Sequence, residues 1–199
     1  HAIGDRGNQM VLNAYEKAYK DFPKKDLRWR IEHAQNVIEA DRKRFKDLNI
    51  IASMQPSHAI GDLHFAEDRL GFERLSNAYT WKSFIDDGVI VVGGSDAPVE
   101  VGDPLIEFYA AVTRKDLDGY SNEGWNLQQA LSREQALAIF TKWPAYAIFK
   151  EDKLGTLEIG KLADITIFDQ DIMTIPNEDI LATKVVMTVV GGKIVYING

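Results

Sequence analysis

Short apolar runs alternate, over roughly the first 150 residues, with stretches in which apolar side chains recur every three or four positions. The runs predict β-strands at residues 27–31, 49–54 and 89–93. Residues 89–92 are all valine or isoleucine, which is typical of a strand buried on both faces of a parallel sheet. The helical spacing predicts helices at residues 11–22, 37–48, 78–87, 105–113, 133–142 and 144–149. This order of elements indicates an α/β protein built from βα units.

Three segments within this region carry local predictions. Residues 57–77 show no clear period and are predicted to be irregular, and the four successive charges at residues 41–44 predict a solvated helix face. Ser132 and Gln135 have the spacing of a capping box, in which each side chain bonds the backbone N–H of the other residue. That spacing predicts a helix that begins at residue 133.

The pattern changes after about residue 154, where helix signals become rare. Strands are predicted at residues 156–157, 165–168, 185–190 and 193–196. Gly191-Gly192 is a two-residue hairpin signal between the last two strands. We therefore predict two units, residues 1–153 and residues 154–199, of which the second is antiparallel β-structure.

Composition and charge narrow the classes of function. The 199 residues include 23 Lys and Arg against 30 Asp and Glu, for a net charge of −7, so the sequence lacks the basic surface that binds nucleic acid or an anionic membrane. No apolar run approaches the roughly 20 residues of a membrane span. The absence of cysteine excludes disulfide and thiolate chemistry but leaves the compartment open. Because the sequence starts at His1 rather than Met, we expect a processed start or the C-terminal part of a longer protein.

Candidate chemistry lies at the ends of predicted strands. We interpret His1, His33 and Asp96 as strand-end residues, and His58 lies four residues after another apolar run. In a β/α barrel, the carboxyl ends of the strands converge on one mouth, so these side chains could meet there. Imidazole and carboxylate groups suit Zn²⁺, with Fe²⁺, Mn²⁺ or Co²⁺ as alternatives. A metal-activated water beside a strand-end aspartate would form a hydrolase site for C–N or ester bonds.

Each candidate residue could also have a purely structural role. The residue types alone do not decide between the functional and the structural role. A histidine at a strand end is more often a packed or hydrogen-bonded residue than a metal ligand. Asp96, before Ala97-Pro98, could simply cap a turn. His64, between Leu63 and Phe65, is interpreted as structural or surface-exposed.

An ordered set of short motifs covers nearly the whole chain. The motifs are His1-Ala2-Ile3-Gly4-Asp5-Arg6, Arg30-Ile31-Glu32-His33-Ala34-Gln35, Gln55-Pro56-Ser57-His58, Gly94-Ser95-Asp96-Ala97-Pro98, Asp103-Pro104-Leu105, Ala111-Val112-Thr113-Arg114, Gly155-Thr156-Leu157, Gly160-Lys161-Leu162-Ala163-Asp164 and Val189-Val190-Gly191-Gly192-Lys193-Ile194-Val195-Tyr196. Any one of them is weak, but their order resembles the C-terminal half of amidohydrolase family 3, the branch that contains N-substituted formamide deformylases.

The resemblance implies a fold and a set of roles. The fold would be strands five to eight of a (β/α)₈ TIM-type barrel, followed by the C-terminal part of a small β-sandwich domain. His1 and His33 would bind one metal ion, and Asp96 would bind a second ion and act as general base and then general acid. His58 would face the substrate, and Arg114 would either contact the substrate or be an exposed helix-end arginine. The cofactor would be a divalent metal, zinc above all, as one or two ions in the complete protein.

The resemblance also implies an activity. The complete protein would hydrolyse an amide- or formamide-type C–N bond of a small molecule by attack of a metal-activated hydroxide. The sequence departs from the family pattern because the paired His-x-His after strand one and the lysine after strand four are absent. Trp143-Pro144 is also bulkier than the small residues expected there.

Two alternatives follow from these departures. Half a barrel with three ligands would hold a metal loosely, so the chain alone could be inert and would need its missing N-terminal half or self-associate. A degenerate binding or regulatory relative is the other alternative. Bound zinc in the isolated chain would argue against the first, and an upstream His-x-His would argue against the second.

Overall fold

Three short parallel strands form one sheet within residues 30–93. The computed structural model describes residues 1–23, 26–121 and 123–198. Strands β1 (Arg30–Glu32), β2 (Ile51–Met54) and β3 (Val91–Gly93) pair side by side in chain order. Ala2 extends this sheet through a parallel bridge to His33. Successive parallel neighbours of this kind are what βα units produce, as the sequence pattern predicts.

Helices connect and cover the strands. They are α1 (Asp5–Asp21), α2 (Glu39–Asp47), α3 (Pro56–Asp62), α4 (Ala66–Leu70), α5 (Phe72–Leu75), α6 (Trp81–Asp86), α7 (Pro104–Thr113), α8 (Arg133–Phe140) and α9 (Lys142–Ala147), with short 3₁₀ turns at Leu127–Gln129 and Asn177–Ala182. The predicted capping box is confirmed at the start of α8, where Ser132 and Gln135 bond each other's backbone N–H.

Strands β2 and β3 are buried on both faces. Val91 packs with Ala52 in the main core. Its neighbour Val92 points to the opposite face, where it packs with Ile51 and Ala147 of α9. Alternate residues of one strand thus enter two separate apolar clusters, which confirms the prediction from the unbroken apolar run.

A separate antiparallel sheet follows. It consists of β4 (Ile165–Phe168), β5 (Val185–Val190) and β6 (Lys193–Ile197), in that order. Gly191 and Gly192 join β5 to β6 with φ of 56° and 78°, the left-handed values that a tight hairpin turn demands. Between β4 and β5 the chain returns to the main core, where Ile172 and Ile180 are buried.

Three local predictions are wrong. Residues 57–77 contain three short helices rather than irregular chain; Pro56 suits the first turn of α3, and Gly71, with φ of 73°, separates α4 from α5. Residues 156–157 form no strand. The charged face of α2 is not simply solvated, because Asp41 is only 4% exposed and accepts a hydrogen bond from Arg44 at 2.9 Å.

Within the described ranges, no helix is both long enough and apolar enough to cross a membrane.

Candidate functional site

His1 and His33 face each other at the end of the parallel sheet. The bridge between Ala2 and His33 places the two histidines side by side. Nδ1 of His1 lies 3.1 Å from Nε2 of His33. Two imidazole nitrogens that bind one zinc ion tetrahedrally lie about 3.3 Å apart, because each Zn–N bond is about 2.0–2.1 Å long. The distance is that of a hydrogen bond between the two rings, and it is also close to the spacing of two ligands of one metal ion.

Gln55 orients the ring of His33. Gln55 is the first residue after β2, and its Oε1 lies 3.0 Å from Nδ1 of His33. An amide oxygen can only accept, so Nδ1 carries the proton and the lone pair of Nε2 points toward His1. Metal-bound histidines are held in this way by a hydrogen bond to the other ring nitrogen. His33 itself has φ of 75°, an uncommon value for a residue other than glycine.

His58, in the first turn of α3, extends the group toward two carboxylates. Its ring stacks on that of His33, with the centroids 5.8 Å apart. Its Nε2 lies 4.0 Å from Oδ2 of Asp96 and 3.9 Å from Oε1 of Glu100. Both distances exceed a hydrogen bond, and within the described residues this buried nitrogen has no partner. It is therefore a buried polar atom without a hydrogen-bond partner among these residues, beside the two carboxylates.

Asp96 lies three residues beyond β3, in the left-handed conformation with φ of 57°. Its side chain is 37% exposed, so it faces the open side of the group. The structure thus brings four of the predicted site residues together: His1, His33, His58 and Asp96. Over residues 1–23, 26–121 and 123–198, however, no three His, Asp or Glu side chains are arranged to hold a metal ion.

A second polar layer joins residues that follow His33 and His58 along the chain. Gln35 Nε2 donates to Oδ2 of Asp62 at 3.1 Å, and the Tyr79 hydroxyl donates to the same oxygen. Burial, together with the hydrogen bond to Asp62, raises the pKa of Tyr79, so the phenol keeps its proton and remains the donor. Gln35 lies two residues after His33 and Asp62 four residues after His58, so this layer links the segments that carry them.

Arg114 does not belong to this group, and the alternative that it is an exposed helix-end arginine is wrong. Arg114 is 0% exposed. Its guanidinium donates to the carbonyl oxygens of Trp125 at 2.8 Å and of Tyr79 at 3.0 Å. It also lies over the Trp81 ring, 4.2 Å from the centroid. Since indole rings and main chain enclose the charged group, it presents no surface to a substrate.

Sequence reasoning missed two residues that border the site, Gln55 and Glu100. Gln55 stands directly after an apolar run, so its strand-end position is a usable signal. Glu100 gives no such signal, because it is in a loop. Its position depends on how the loop after β3 packs against α3.

Comparison with known proteins places the chain among its relatives. The profile of the Amidohydrolase family matches residues 1–196. The protein YtcJ of Bacillus subtilis (strain 168) is 34% identical over 196 residues, which cover 98% of this chain and 36% of YtcJ. The N-substituted formamide deformylase of Arthrobacter pascens is 28% identical, again over 98% of this chain and 36% of the deformylase. The chain therefore spans about a third of the length of these relatives.

A solved structure shares the fold. An uncharacterized metal-dependent hydrolase from Pyrococcus horikoshii OT3 superposes with a TM-score of 0.74 at 31% identity, over 89% of this chain and 34% of that one. The resemblance inferred from the ordered motifs is thus confirmed by sequence and by fold, and this chain belongs to the amidohydrolase family.

Proposed function

We propose that this chain is the C-terminal half of the catalytic barrel of a metal-dependent hydrolase, which cleaves an amide- or formamide-type C–N bond, other than a peptide bond, in a small molecule. The observation that carries the proposal is the His1–His33 pair, with nitrogens 3.1 Å apart and the His33 ring held by Gln55. Family membership supports the hydrolase class, and the similarity to a formamide deformylase supports the bond type.

The metal would be held by residues that follow the parallel strands. We assign His1 and His33 to one ion and Asp96 to a second ion. A divalent ion, with zinc as the best match to imidazole and carboxylate ligands, supplies Lewis acidity toward the scissile carbonyl. The remaining ligands would come from the part of the protein outside this chain, which agrees with the lack of a three-ligand group in the described residues.

Proton transfer falls to Asp96. Its carboxylate is partly exposed and can take the proton from an attacking water and return it to the leaving nitrogen. We assign His58 to the substrate side, because its Nε2 lies beside the Asp96 and Glu100 carboxylates and has no hydrogen-bond partner among the described residues. Arg114 has no part in this scheme, since it is enclosed in the core.

The architecture completes the proposal. Ala2, β1, β2 and β3 would be strands five to eight of the barrel, in residues 1–153. The antiparallel sheet in residues 154–199 would be the C-terminal part of a β-sandwich. The parallel order of the first set and the antiparallel order of the second support this division.

The test compares three variants of the complete protein in hydrolysis of a panel of N-substituted formamides and in zinc content, with circular dichroism as the measure of folding. We expect Asp96→Asn to lose turnover and His33→Asn to lose both turnover and zinc, with the fold intact in each. His64→Asn is the matched control, because His64 is an exposed histidine paired with Asp116 at 2.9 Å. Wild-type turnover in Asp96→Asn would overturn the assignment.

The absence of a three-ligand group favours a second candidate, a chain that is inert by itself. Zinc analysis of the 199-residue chain separates the two. Tightly bound stoichiometric zinc would argue against inertness. A complete protein that neither binds zinc nor hydrolyses the panel would instead point to a non-catalytic binding relative.

A further inference from the structure

Glu107 is a buried carboxylate in the middle of α7. It is 1% exposed, among neighbours on the same helix that include Leu105 and Phe108. Its Oε2 accepts a hydrogen bond from the backbone N–H of Ser57 at 3.0 Å. Its Oε1 has no partner within the described residues. The carboxylate therefore makes one directed contact, and that contact is to α3.

The N–H that Glu107 accepts belongs to the start of α3. Helices begin with N–H groups that have no partner inside the helix. Pro56, the first residue of α3, has no N–H, so Ser57 supplies the first of these donors. Glu107 thus accepts the hydrogen bond of the first free N–H of α3.

The residues on either side of the Pro56–Ser57 pair contact the candidate site. We call the hydrogen bond from Ser57 to Glu107 the tether. Gln55 lies just before Pro56 and holds the His33 ring. His58 follows Ser57, stacks on His33 and faces Asp96 and Glu100. A shift of the Ser57 backbone would therefore move two groups of the site together.

Packing alone does not account for a carboxylate at this position. An apolar side chain of similar size would fill the space between α7 and α3 without the cost of burying a polar group. Burial raises the pKa of Glu107, a sign that its ionised form is disfavoured there. What the carboxylate adds is the directed bond to Ser57.

We propose that Glu107 is a positioning residue, which holds the segment from Gln55 to His58 so that the His58 ring lies against His33 and faces Asp96. The inference rests on the proposed function, because that function gives His58 its role on the substrate side. Within the described residues, the hydrogen bond of Glu107 goes to the Ser57 backbone and not to a histidine.

The test uses histidine-labelled chain and nuclear magnetic resonance. The four histidines are assigned by single His→Gln substitutions, and the ring contact between His33 and His58 is followed as a nuclear Overhauser effect. We expect Glu107→Leu, which keeps the volume but loses the acceptor, to shift the His58 ring signals and to lose the His33–His58 effect. Glu107→Gln keeps an oxygen that can accept from Ser57 and should retain both. His64 is the internal control and should not shift in either variant.

A folded Glu107→Leu variant with unchanged His58 signals would overturn the proposal. If that variant does not fold, hydrogen exchange at the Ser57 amide of the wild-type chain decides. Protection supports the tether, and exchange as fast as in an unstructured peptide overturns it. The experiment needs neither metal nor substrate, so its failure is distinct from failure of the proposed function, which the turnover of Asp96→Asn tests.

Discussion

Among single residues, Arg114 is a buried charged side chain whose contacts are all structural. It ends α7 in the left-handed conformation, with φ of 59°, and its backbone N–H donates to the Ala110 carbonyl. Its guanidinium bonds two carbonyl oxygens and lies over Trp81. Burial lowers the pKa of Arg114, yet a guanidinium keeps its proton in proteins. The buried charge of Arg114 is therefore stabilised by hydrogen bonds and ring contacts in place of water.

Replacement of this side chain should destabilise the protein. We expect Arg114→Met to lower the free energy of unfolding by about 2–4 kcal/mol, because two buried carbonyls lose their donor. Urea denaturation followed by tryptophan fluorescence measures the change. Arg69→Met, at an exposed helical position, is the matched control and should stay within about 0.5 kcal/mol of wild type. Equal losses in the two variants would contradict this account.

The site residues divide into those that sequence could predict and those that it could not. His33 and Asp96 follow strands, and parallel strands end at one edge, so their approach could be predicted from order alone. Glu100 stands in a loop, where no period fixes its direction. The burial of Arg114 could not be predicted from its place at a helix end. It results from the neighbouring loop, which brings Trp125 against the guanidinium.

Some helices are determined by their own local sequence, and others depend on packing against the rest of the chain. The start of α8 is local: the Ser132 side chain accepts from the Gln135 N–H at 3.2 Å, and the Gln135 side chain accepts from the Ser132 N–H at 3.1 Å. Both bonds depend only on the spacing of the two residues, which is why the box could be predicted. The short helices α3, α4 and α5 have no such signal and too few residues to show a period, so packing decides them.

The cap of α8 gives a test at this scale. We expect Ser132→Ala to lower the free energy of unfolding by about 1 kcal/mol, because the Gln135 N–H loses its acceptor. Ser132→Asp keeps an acceptor at the helix start and should stay close to wild type. Chemical denaturation of the three proteins measures the difference. A Ser132→Asp variant as unstable as Ser132→Ala would show that the cap is not the cause.

At the scale of the whole molecule, the two sheets differ in how completely they are covered. Strands β2 and β3 are buried between two apolar clusters. Every residue of β6 is exposed, on both faces of the strand. An uncovered apolar edge strand is a template for pairing with another chain, so β6 is a surface through which this chain should associate.

We therefore expect the 199-residue chain to self-associate through β6. Ile194 and Ile197 are 60% and 61% exposed, and pairing would cover them while satisfying the free backbone groups of the edge. Light scattering after size exclusion should show an apparent mass that rises with concentration. Val195→Lys, in the middle of β6, should reduce that rise because a lysine on an edge strand opposes pairing. Phe72→Lys, which removes an exposed apolar side chain on α5, is the matched control. The mass of a single chain at every concentration, or an equal response to both substitutions, would contradict association through β6.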